Sequence, residues 1–240
     1  MIENIPNLSQ PDDHLETAIK VDTNTPIDLS LSEWPDVANL AYLAAEDVRV
    51  AASLLFQAYH ADPIFMQLFN APKEGYEQRL RAAIREELSA FWHAGQPMIG
   101  LYNGQTLEGV VCLNRMRSEQ DAGRYWHWRL KMLLTAGYVS TRHMLEKERK
   151  VAAAVPYADY LMLSFIAVHP RYQHQGLGQL LVSAAQSVLD ANPEAEGVVA
   201  LATRPEYEAF LDQQKFSTVA TIEVGAIQGT LMALPRSTVE

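Results

Sequence analysis

The sequence predicts an α/β fold built on one mixed, mostly antiparallel sheet with helices on its faces. Apolar runs of strand length alternate with longer segments in which apolar residues recur at helical spacing. A helical pattern separates the run at 160–168 from the run at 198–201, as expected for parallel neighbours, whereas glycine-containing turns join other runs into antiparallel hairpins. The 240 residues, 48% of them hydrophobic, suffice for the core of one such domain.

Residues 1–36 are polar and contain several prolines, so we expect an extension that precedes a single domain over 37–235. A short strand at 27–31 and disorder are equal alternatives for this extension. The first residues show no basic stretch followed by an apolar one, and no apolar run approaches the ~20 residues of a membrane span. The one cysteine, Cys112, lies in an apolar run, which predicts a buried thiol in a cytoplasmic protein.

The first part of the domain predicts a strand, two helices and a hairpin. The first helix should end before Pro63, because proline disfavours helix for the residue that precedes it. Gly95 is expected to end the second helix, and Asn103-Gly104 is typical of a tight hairpin turn. The predicted elements are a strand at 39–43, a helix from 46 to 62, a short aromatic segment at 64–69, a helix beginning at Pro72, and strands at 98–102 and 107–114.

Residues 115–157 interrupt the strand pattern and predict a helical insert between the third and fourth strands. One helical pattern ends near Gly137, and a second includes Met144 and Ala152. Two interpretations stay open for this basic segment. It forms a helical hairpin that covers the sheet and pairs its charges locally, or it is a lid that shapes a pocket with Trp126 and Trp128.

The run at 160–168 is almost continuously apolar, which is typical of a central strand buried on both faces. The elements predicted after it are a helix at 177–189, a strand at 198–201 parallel to 160–168, a helix at 206–214, and a final hairpin of 216–224 and 228–233. No internal repeat or low-complexity linker divides the chain, which favours one domain.

The charge balance disfavours some classes of partner. With 19 basic and 29 acidic residues, the net charge of −10 disfavours binding to nucleic acid or to an anionic membrane. It favours cationic substrates such as amines, although acidity that only keeps the protein soluble explains it equally well. The seven histidines are not spaced with acids or cysteine as metal ligands are, so we expect no metal site.

The segment 168–179 joins the apolar run to the next helix through a turn rich in glycine and glutamine. A strand, a glycine turn and a helix N-terminus together expose backbone N–H groups and the positive end of the helix dipole, which bind phosphate. A Walker-type loop needs lysine and serine or threonine after the second glycine, where this chain has Gln179 and Leu180. A dinucleotide fingerprint needs a third glycine, where this chain has Leu181.

The same segment fits a third kind of phosphate turn and resembles that of the GNAT superfamily of acetyl-CoA-dependent N-acetyltransferases. The family pattern runs from a strand end through proline, tyrosine and glutamine to two glycines that open a helix. Its residues here are Val168, Pro170, Tyr172, Gln173, Gly176 and Gly178. Residues 59–63 also resemble the end of the first family helix, and the order of elements agrees with the family.

The resemblance implies direct transfer of an acetyl group from acetyl-CoA to a small-molecule or peptide amine in a ternary complex, without a metal. Backbone N–H groups of the turn would bind the pyrophosphate, and the strand before it would pair with the pantetheine arm. His174 and Arg171 would add charge near the phosphates. The cofactor-binding residues implied are Ile166, Ala167, Val168, Gln173, His174, Gln175, Gly176, Leu177, Gly178 and Gln179.

The catalytic groups are less well defined by the resemblance. Leu211 stands where the family often has a tyrosine that protonates the thiolate, and Lys215 stands where it has a glycine. Tyr207, one helical turn earlier, is the replacement candidate, and Ser164 is a candidate to hold a water that removes the amine proton. Further polar candidates for the group that removes the amine proton, which no geometric argument supports, are His93, Glu108 and His127.

The missing tyrosine also motivates an alternative, a non-catalytic acyl-CoA-binding or regulatory module of the same fold.

If the protein is an enzyme, the resemblance implies that a backbone N–H near Val168 stabilises the oxyanion of the tetrahedral intermediate. The sequence leaves open whether the chain forms a homodimer.

Overall fold

The computed structural model describes residues 38–117, 138–224 and 226–237. The strands in these ranges are β1 (Ala38–Tyr42), β2 (Met98–Asn103), β3 (Thr106–Arg117), β4 (Asp159–Val168), β5 (Gly197–Ala202), β6 (Ser217–Val224) and β7 (Ile227–Pro235). The helices are α1 (Val48–Tyr59), α2 (Pro63–Leu68), α3 (Tyr76–His93), α4 (Tyr138–Ala154), α5 (Leu177–Asp190) and α6 (Pro205–Gln213).

The strands form one seven-stranded sheet in the order β1-β2-β3-β4-β5-β7-β6. Strands β4 and β5 run parallel, while β1–β2, β2–β3, β3–β4, β5–β7 and β6–β7 run antiparallel. Helix α5 connects the parallel pair, as a parallel crossover requires. The predicted mixed, mostly antiparallel sheet is therefore confirmed.

Two hydrophobic clusters cover the two faces of the sheet. Val110 and Val111, neighbours on β3, point to opposite faces and are both fully buried. Val110 belongs to the cluster that packs against α1, α2, α3 and α4, and Val111 to the one that packs against α5 and α6. Helices therefore cover both faces of the sheet, including the place where β4 and β5 separate beyond their short ladder.

Two predicted boundaries in the first half are wrong. Helix α3 begins at Tyr76 rather than Pro72, because Gly75 is left-handed (φ +80°) and the guanidinium of Arg79 donates to the carbonyls of the preceding turn, those of Phe69, Asn70, Lys73 and Glu74. The hairpin turn falls one residue later than expected, on Gly104 (φ +58°) and the next residue, because Asn103 still pairs with Thr106.

The prediction that β4 is buried on both faces is wrong in its second half. Burial alternates along the strand, and Met162, Ser164, Ile166 and Val168 are only half-buried. The ladder to β5 covers Leu161 to Leu163. Beyond it the apolar residues face a cavity instead of a neighbouring strand, which is why an apolar run alone misleads here.

Helix α4 confirms the second helical pattern of the insert, and its Met144 and Val151 are buried. The first pattern, the extension 1–36 and the residues Trp126 and Trp128 lie outside the described residues. In the ranges the structure covers, none of the helices combines the length and the apolar character needed to cross a membrane.

Arg236 ties the end of β7 to the end of α5. Its Nε donates to the carbonyl of Ala195 at 3.0 Å, and its Nη2 donates to those of Leu189 at 2.5 Å and Asn192. A cation at these carbonyls also interacts favourably with the negative end of the helix dipole.

We expect Arg236→Ala to lower the free energy of unfolding by ~1.5–3 kcal/mol, because half-buried carbonyls lose a charged donor. Arg85→Ala, on the exposed side of α3, is the matched control and should change stability little. Urea denaturation measures both, and equal effects of the two variants would contradict the role of Arg236.

Candidate functional site

A cavity of about 1060 Å³ passes through the gap between β4 and β5. On one face of the sheet its walls come from the turn after β4, the first turn of α5, and α6. On the other face they come from α2, α3 and α4. Residues 160 and 162–168 of β4 line it along the strand's length, so this strand forms the floor that both sides share.

A β-bulge in β4 directs the strand into this cavity. Cys112 pairs with Phe165 and the next residue, Leu113, pairs with Leu163, which leaves Ser164 as the extra, unpaired residue. The bulge also changes the face of the sheet to which the odd-numbered residues of β4 point. Before it, Leu161 and Leu163 pack in the α5 cluster, whereas after it Phe165 and Ala167 pack in the α1–α3 cluster.

The hydroxyl of Tyr59 occupies the open edge of β4 just after the bulge. It accepts a hydrogen bond from the backbone N–H of Ile166 at 3.1 Å and donates one to the carbonyl of the same residue at 3.0 Å. The ring lies against Phe65 and Phe165, with centroid distances of 5.1 and 5.6 Å. Burial raises the pKa of Tyr59 well above its usual value, an effect that the bond from Ile166 only partly offsets, so the hydroxyl keeps its proton.

Sequence reasoning missed Tyr59, because at its position in α1 it follows the apolar spacing of a core residue. A tyrosine on such a stripe is usually read as packing. Its functional position follows from the register of β4 and from the corner that ends α1, neither of which is visible in the spacing of α1 alone.

Asp62 holds that corner. The carboxylate is fully buried, and its Oδ1 accepts from the backbone N–H groups of Ile64 (2.9 Å) and Phe65 (3.2 Å), which makes it the N-cap of α2. The hydroxyl of Thr203, just after β5, donates to Oδ2. Arg204 donates to the carbonyl of Ala61. The α1–α2 corner is thus fixed to the loop on the far side of the cavity.

The turn after β4 has the backbone geometry expected of an anion site. Residues Pro170–Tyr172 form a 3₁₀ turn, and the side-chain amide of Gln173 donates from Nε2 to the backbone carbonyl of Val168 at 3.1 Å. His174 (φ +61°) and Gly176 (φ +81°) are both left-handed. Left-handed residues in such turns bring successive backbone N–H groups to one concave side, here at the N-terminus of α5.

The two glycines differ in role. Gly176 supplies the left-handed residue that begins α5. At Gly178, a Cβ atom would lie 3.2 Å from the ring of Phe210, so this glycine allows α6 to approach α5.

Most residues predicted to bind the cofactor line the cavity. Gln175 and Arg171 are exposed and do not line it. Those that do are Ile166, Ala167, Val168, Gln173, His174, Gly176, Leu177, Gly178 and Gln179.

The candidate catalytic residues separate into two groups. Ser164 and Tyr207 both line the cavity and are half-buried. Burial raises the pKa of Tyr207, and the Arg204 guanidinium, 5.9 Å from the ring centre, opposes that shift. His93 is exposed at the end of α3 and Glu108 is buried, and neither lines the cavity. His127 lies outside the described residues.

Leu211, at the position where the resemblance led us to look for a tyrosine, is 5% exposed and packs in the α5 cluster. Cys112 is fully buried, as predicted, and burial together with the charge of Glu87 raises the pKa of its thiol. Among the residues that the structure describes, no group of three or more histidine, cysteine, aspartate or glutamate side chains is arranged to hold a metal ion.

The half of the cavity formed by α2, α3 and α4 is mainly apolar, with a few charged groups at its wall. Its charged lining residues are Glu87, Lys147 and Glu148. The apolar lining residues are Ile64, Phe65, Leu68, Phe69, Ile84, Met116, Met144 and Val151. This half suits a ligand with an apolar body and a polar or charged end.

The sequence profile of the acetyltransferase (GNAT) family matches residues 64–211, more than half of the 240-residue chain. The chain belongs to the acetyltransferase (GNAT) family. The matched range includes the turn after β4, the bulged strand and residues from both sides of the cavity. Among curated proteins, none matches the chain.

Solved structures of other GNAT proteins share this fold at low sequence identity. Arylalkylamine N-acetyltransferase 2 from Aedes aegypti has a TM-score of 0.60 at 12% identity, covering 83% of this chain and 99% of that one. A histone acetyltransferase HPA2 and related acetyltransferase from Corynebacterium glutamicum has 0.62 at 14%, covering 84% and 98%. A variant of agmatine N-acetyltransferase has 0.60 at 15%, covering 83% and 100%.

We expect Thr203→Val to lower the free energy of unfolding by ~1–3 kcal/mol, because the isosteric change leaves a buried oxygen of Asp62 without its hydroxyl donor. Thr221→Val, at an exposed position of β6, controls for the loss of a threonine hydroxyl as such. Thermal unfolding compares the two, and a Thr203→Val variant as stable as the control would show that the corner does not depend on this bond.

Proposed function

We propose that the protein transfers an acetyl group from acetyl-CoA directly to an amine bound in the same cavity. One observation carries the proposal: the cavity is continuous from the turn after β4, along the open edge of β4, to the apolar half between α2, α3 and α4. A donor and an acceptor that enter from opposite faces of the sheet would meet in the gap between β4 and β5. Direct transfer needs such a meeting point.

The donor half has a partner for each part of acetyl-CoA. The backbone N–H groups from Gln173 to Gly178, with the positive end of the α5 dipole, suit the pyrophosphate. The strand edge at Ile166, Ala167 and Val168 suits the extended pantetheine arm, because a strand edge without a neighbouring strand binds an extended chain that carries amides. His174 in the lining adds polar contacts near the phosphates.

The chain also supplies groups for the chemistry. The N–H groups of Ile166 and Val168 lie on the edge of β4 that faces the gap, since Ile166 bonds to Tyr59 and the Val168 carbonyl to Gln173. Such N–H groups stabilise the oxyanion formed when the amine attacks the thioester carbonyl. Ser164, unpaired at the bulge, holds a water that accepts the amine proton. Tyr207 donates a proton to the departing thiolate.

The acceptor proposed is an amine with an apolar body. The apolar half of the cavity would hold the body, and its charged lining residues are acidic on balance, Glu87 and Glu148 against Lys147, which favours a cation. The net charge of −10 acts in the same direction. Two of the similar structures carry the names of amine acetyltransferases, for arylalkylamines and for agmatine.

The burial of Leu211 supports a second candidate, an acyl-CoA-binding module without catalysis. A panel of amines assayed for thiol release from acetyl-CoA separates the two. Release with any amine rejects the binding module, and binding of acetyl-CoA without release across aromatic, aliphatic and peptide amines rejects the enzyme.

We expect Gly176→Asp to weaken acetyl-CoA binding by about a hundredfold or more, because a carboxylate at the turn repels the phosphates. Gly104→Asp is the matched control: it places the same residue at another left-handed glycine, in the β2–β3 turn, where nothing lies within 4 Å of a Cβ. Calorimetric titration measures both affinities. Equal affinities would refute the assignment of the turn.

We expect Tyr207→Phe to lower kcat about ten- to a hundredfold while the Kd of acetyl-CoA stays the same, because the thiolate then leaves without an acid. Since burial raises the pKa of Tyr207, the acid stays protonated to higher pH than a free tyrosine, and activity should not fall through its ionisation below pH ~10. Tyr157→Phe, outside the cavity lining, is the control. An unchanged kcat in Tyr207→Phe removes this residue from the mechanism.

A further inference from the structure

The Tyr59 hydroxyl and the proposed donor compete for the same backbone groups of β4. The Tyr59 hydroxyl bonds to both the N–H and the carbonyl of Ile166, at 3.1 and 3.0 Å. Ile166 is also one of the residues to which the proposed donor arm would bind, and its N–H faces the gap where the thioester would lie.

The Ile166 N–H cannot donate to the Tyr59 oxygen and to an oxygen of the donor at the same time. A carbonyl oxygen has two lone pairs and can accept from two donors, but one N–H makes one well-aligned hydrogen bond. An oxygen of the donor that accepts from the Ile166 N–H must therefore replace the Tyr59 oxygen. In the thioester region of the donor, the acceptor of that kind is the acetyl carbonyl oxygen.

We propose that the Tyr59 hydroxyl is a stand-in for the acetyl carbonyl oxygen, held on the Ile166 N–H until an acyl donor displaces it. The proposal rests on the proposed function, since it takes acetyl-CoA as the ligand of this cavity. It makes Tyr59 a residue that sets the affinity for the acylated over the free form of the cofactor.

The surroundings of Tyr59 allow the hydroxyl to move without unfolding the corner. Tyr59 is the last residue of α1 and lines the cavity, so its hydroxyl has adjacent free volume. The corner itself is held by other bonds, those of Asp62 and of Arg204 to Ala61. Because burial raises the pKa of Tyr59, the hydroxyl leaves as a neutral group and no charge is moved.

The arrangement predicts opposite consequences for the two forms of the cofactor. The pantetheine amides lie farther from the sulfur than the acetyl group and pair with the strand edge towards Val168. Coenzyme A without an acyl group therefore brings no carbonyl oxygen to the Ile166 N–H and binds with Tyr59 in place. Acetyl-CoA must first break the hydroxyl bond. Removing the hydroxyl relieves acetyl-CoA of this competition and leaves the binding of free coenzyme A nearly the same.

The test is calorimetric titration of acetyl-CoA and of free coenzyme A into the unmodified chain, Tyr59→Phe and Tyr76→Phe. The control Tyr76→Phe also deletes a tyrosine bond to a backbone carbonyl, that of His60 at 2.7 Å, but outside the cavity lining. We expect Tyr59→Phe to raise the ratio of the coenzyme A Kd to the acetyl-CoA Kd about three- to tenfold, the strength of one hydrogen bond. The control should leave the ratio unchanged.

The outcomes are distinct. If neither ligand binds the unmodified chain, the proposed function fails. If both bind and Tyr59→Phe leaves the ratio unchanged or lowers it, only the role of Tyr59 fails. Weaker binding of both ligands by the variant would also overturn it, since the hydroxyl would then contact the bound cofactor.

A second measurement uses the unmodified chain and stays decisive if the variant folds poorly. In protein labelled with ¹⁵N-isoleucine, the amide resonance of Ile166 should shift when acetyl-CoA is added and shift much less with free coenzyme A. Equal shifts with both ligands, or no shift with either bound, would overturn the proposal.

Discussion

Backbone hydrogen bonding in the middle of a sheet is the constraint on which the site depends. Strand β4 lies at the centre of seven strands, yet its ladder to β5 covers only Leu161 to Leu163. Polar backbone groups left in an apolar interior cost free energy, so they must find another partner. The chain meets this need with a tyrosine hydroxyl on Ile166 and a glutamine amide on Val168. A strand edge that is satisfied by side chains is one that a ligand can take over.

The same constraint explains why the α1–α2 corner is built so firmly. A fully buried carboxylate is tolerable only when several donors surround it, and Asp62 has two backbone N–H groups and the Thr203 hydroxyl. In return it fixes the end of α1, from which Tyr59 reaches the strand. It also fixes the loop after β5, from which α6 begins. The α1–α2 corner and the loop after β5 are thereby joined by hydrogen bonds across the gap, where no ladder joins the strands.

The sequence predicted the features that local patterns determine. The turn, the parallel pair around α5, the β6–β7 hairpin and the buried Cys112 all follow from spacing and composition, and the structure has them. It failed where the outcome depends on distant parts of the chain. The divergence of β4 from β5 and the bulge at Ser164 leave no mark in an apolar run. The later start of α3 depends on Arg79, whose guanidinium bonds to carbonyls as far back as Phe69, beyond the range of a capping signal.

The site divides in the same way. Most of the predicted cofactor-binding residues line the cavity, because the turn that contains them is a local motif. Tyr59 was hidden by its apolar spacing, and Glu108 attracted notice only because it is an acid, although it is buried away from the cavity. The function of a polar residue that contacts a strand depends on the register of that strand, which is set by pairing across the whole sheet.

The contact between Gly178 and Phe210 has a mechanical consequence. With no side chain at position 178, the ring of Phe210 sits directly on the first turn of α5, and the same helix α6 carries Tyr207. A tilt of α6 would press on the peptide planes of that turn, and any reshaping of the turn would be transmitted back along α6. Because a Cβ atom at position 178 would lie only 3.2 Å from that ring, the turn that begins α5 and the helix that carries Tyr207 are mechanically coupled.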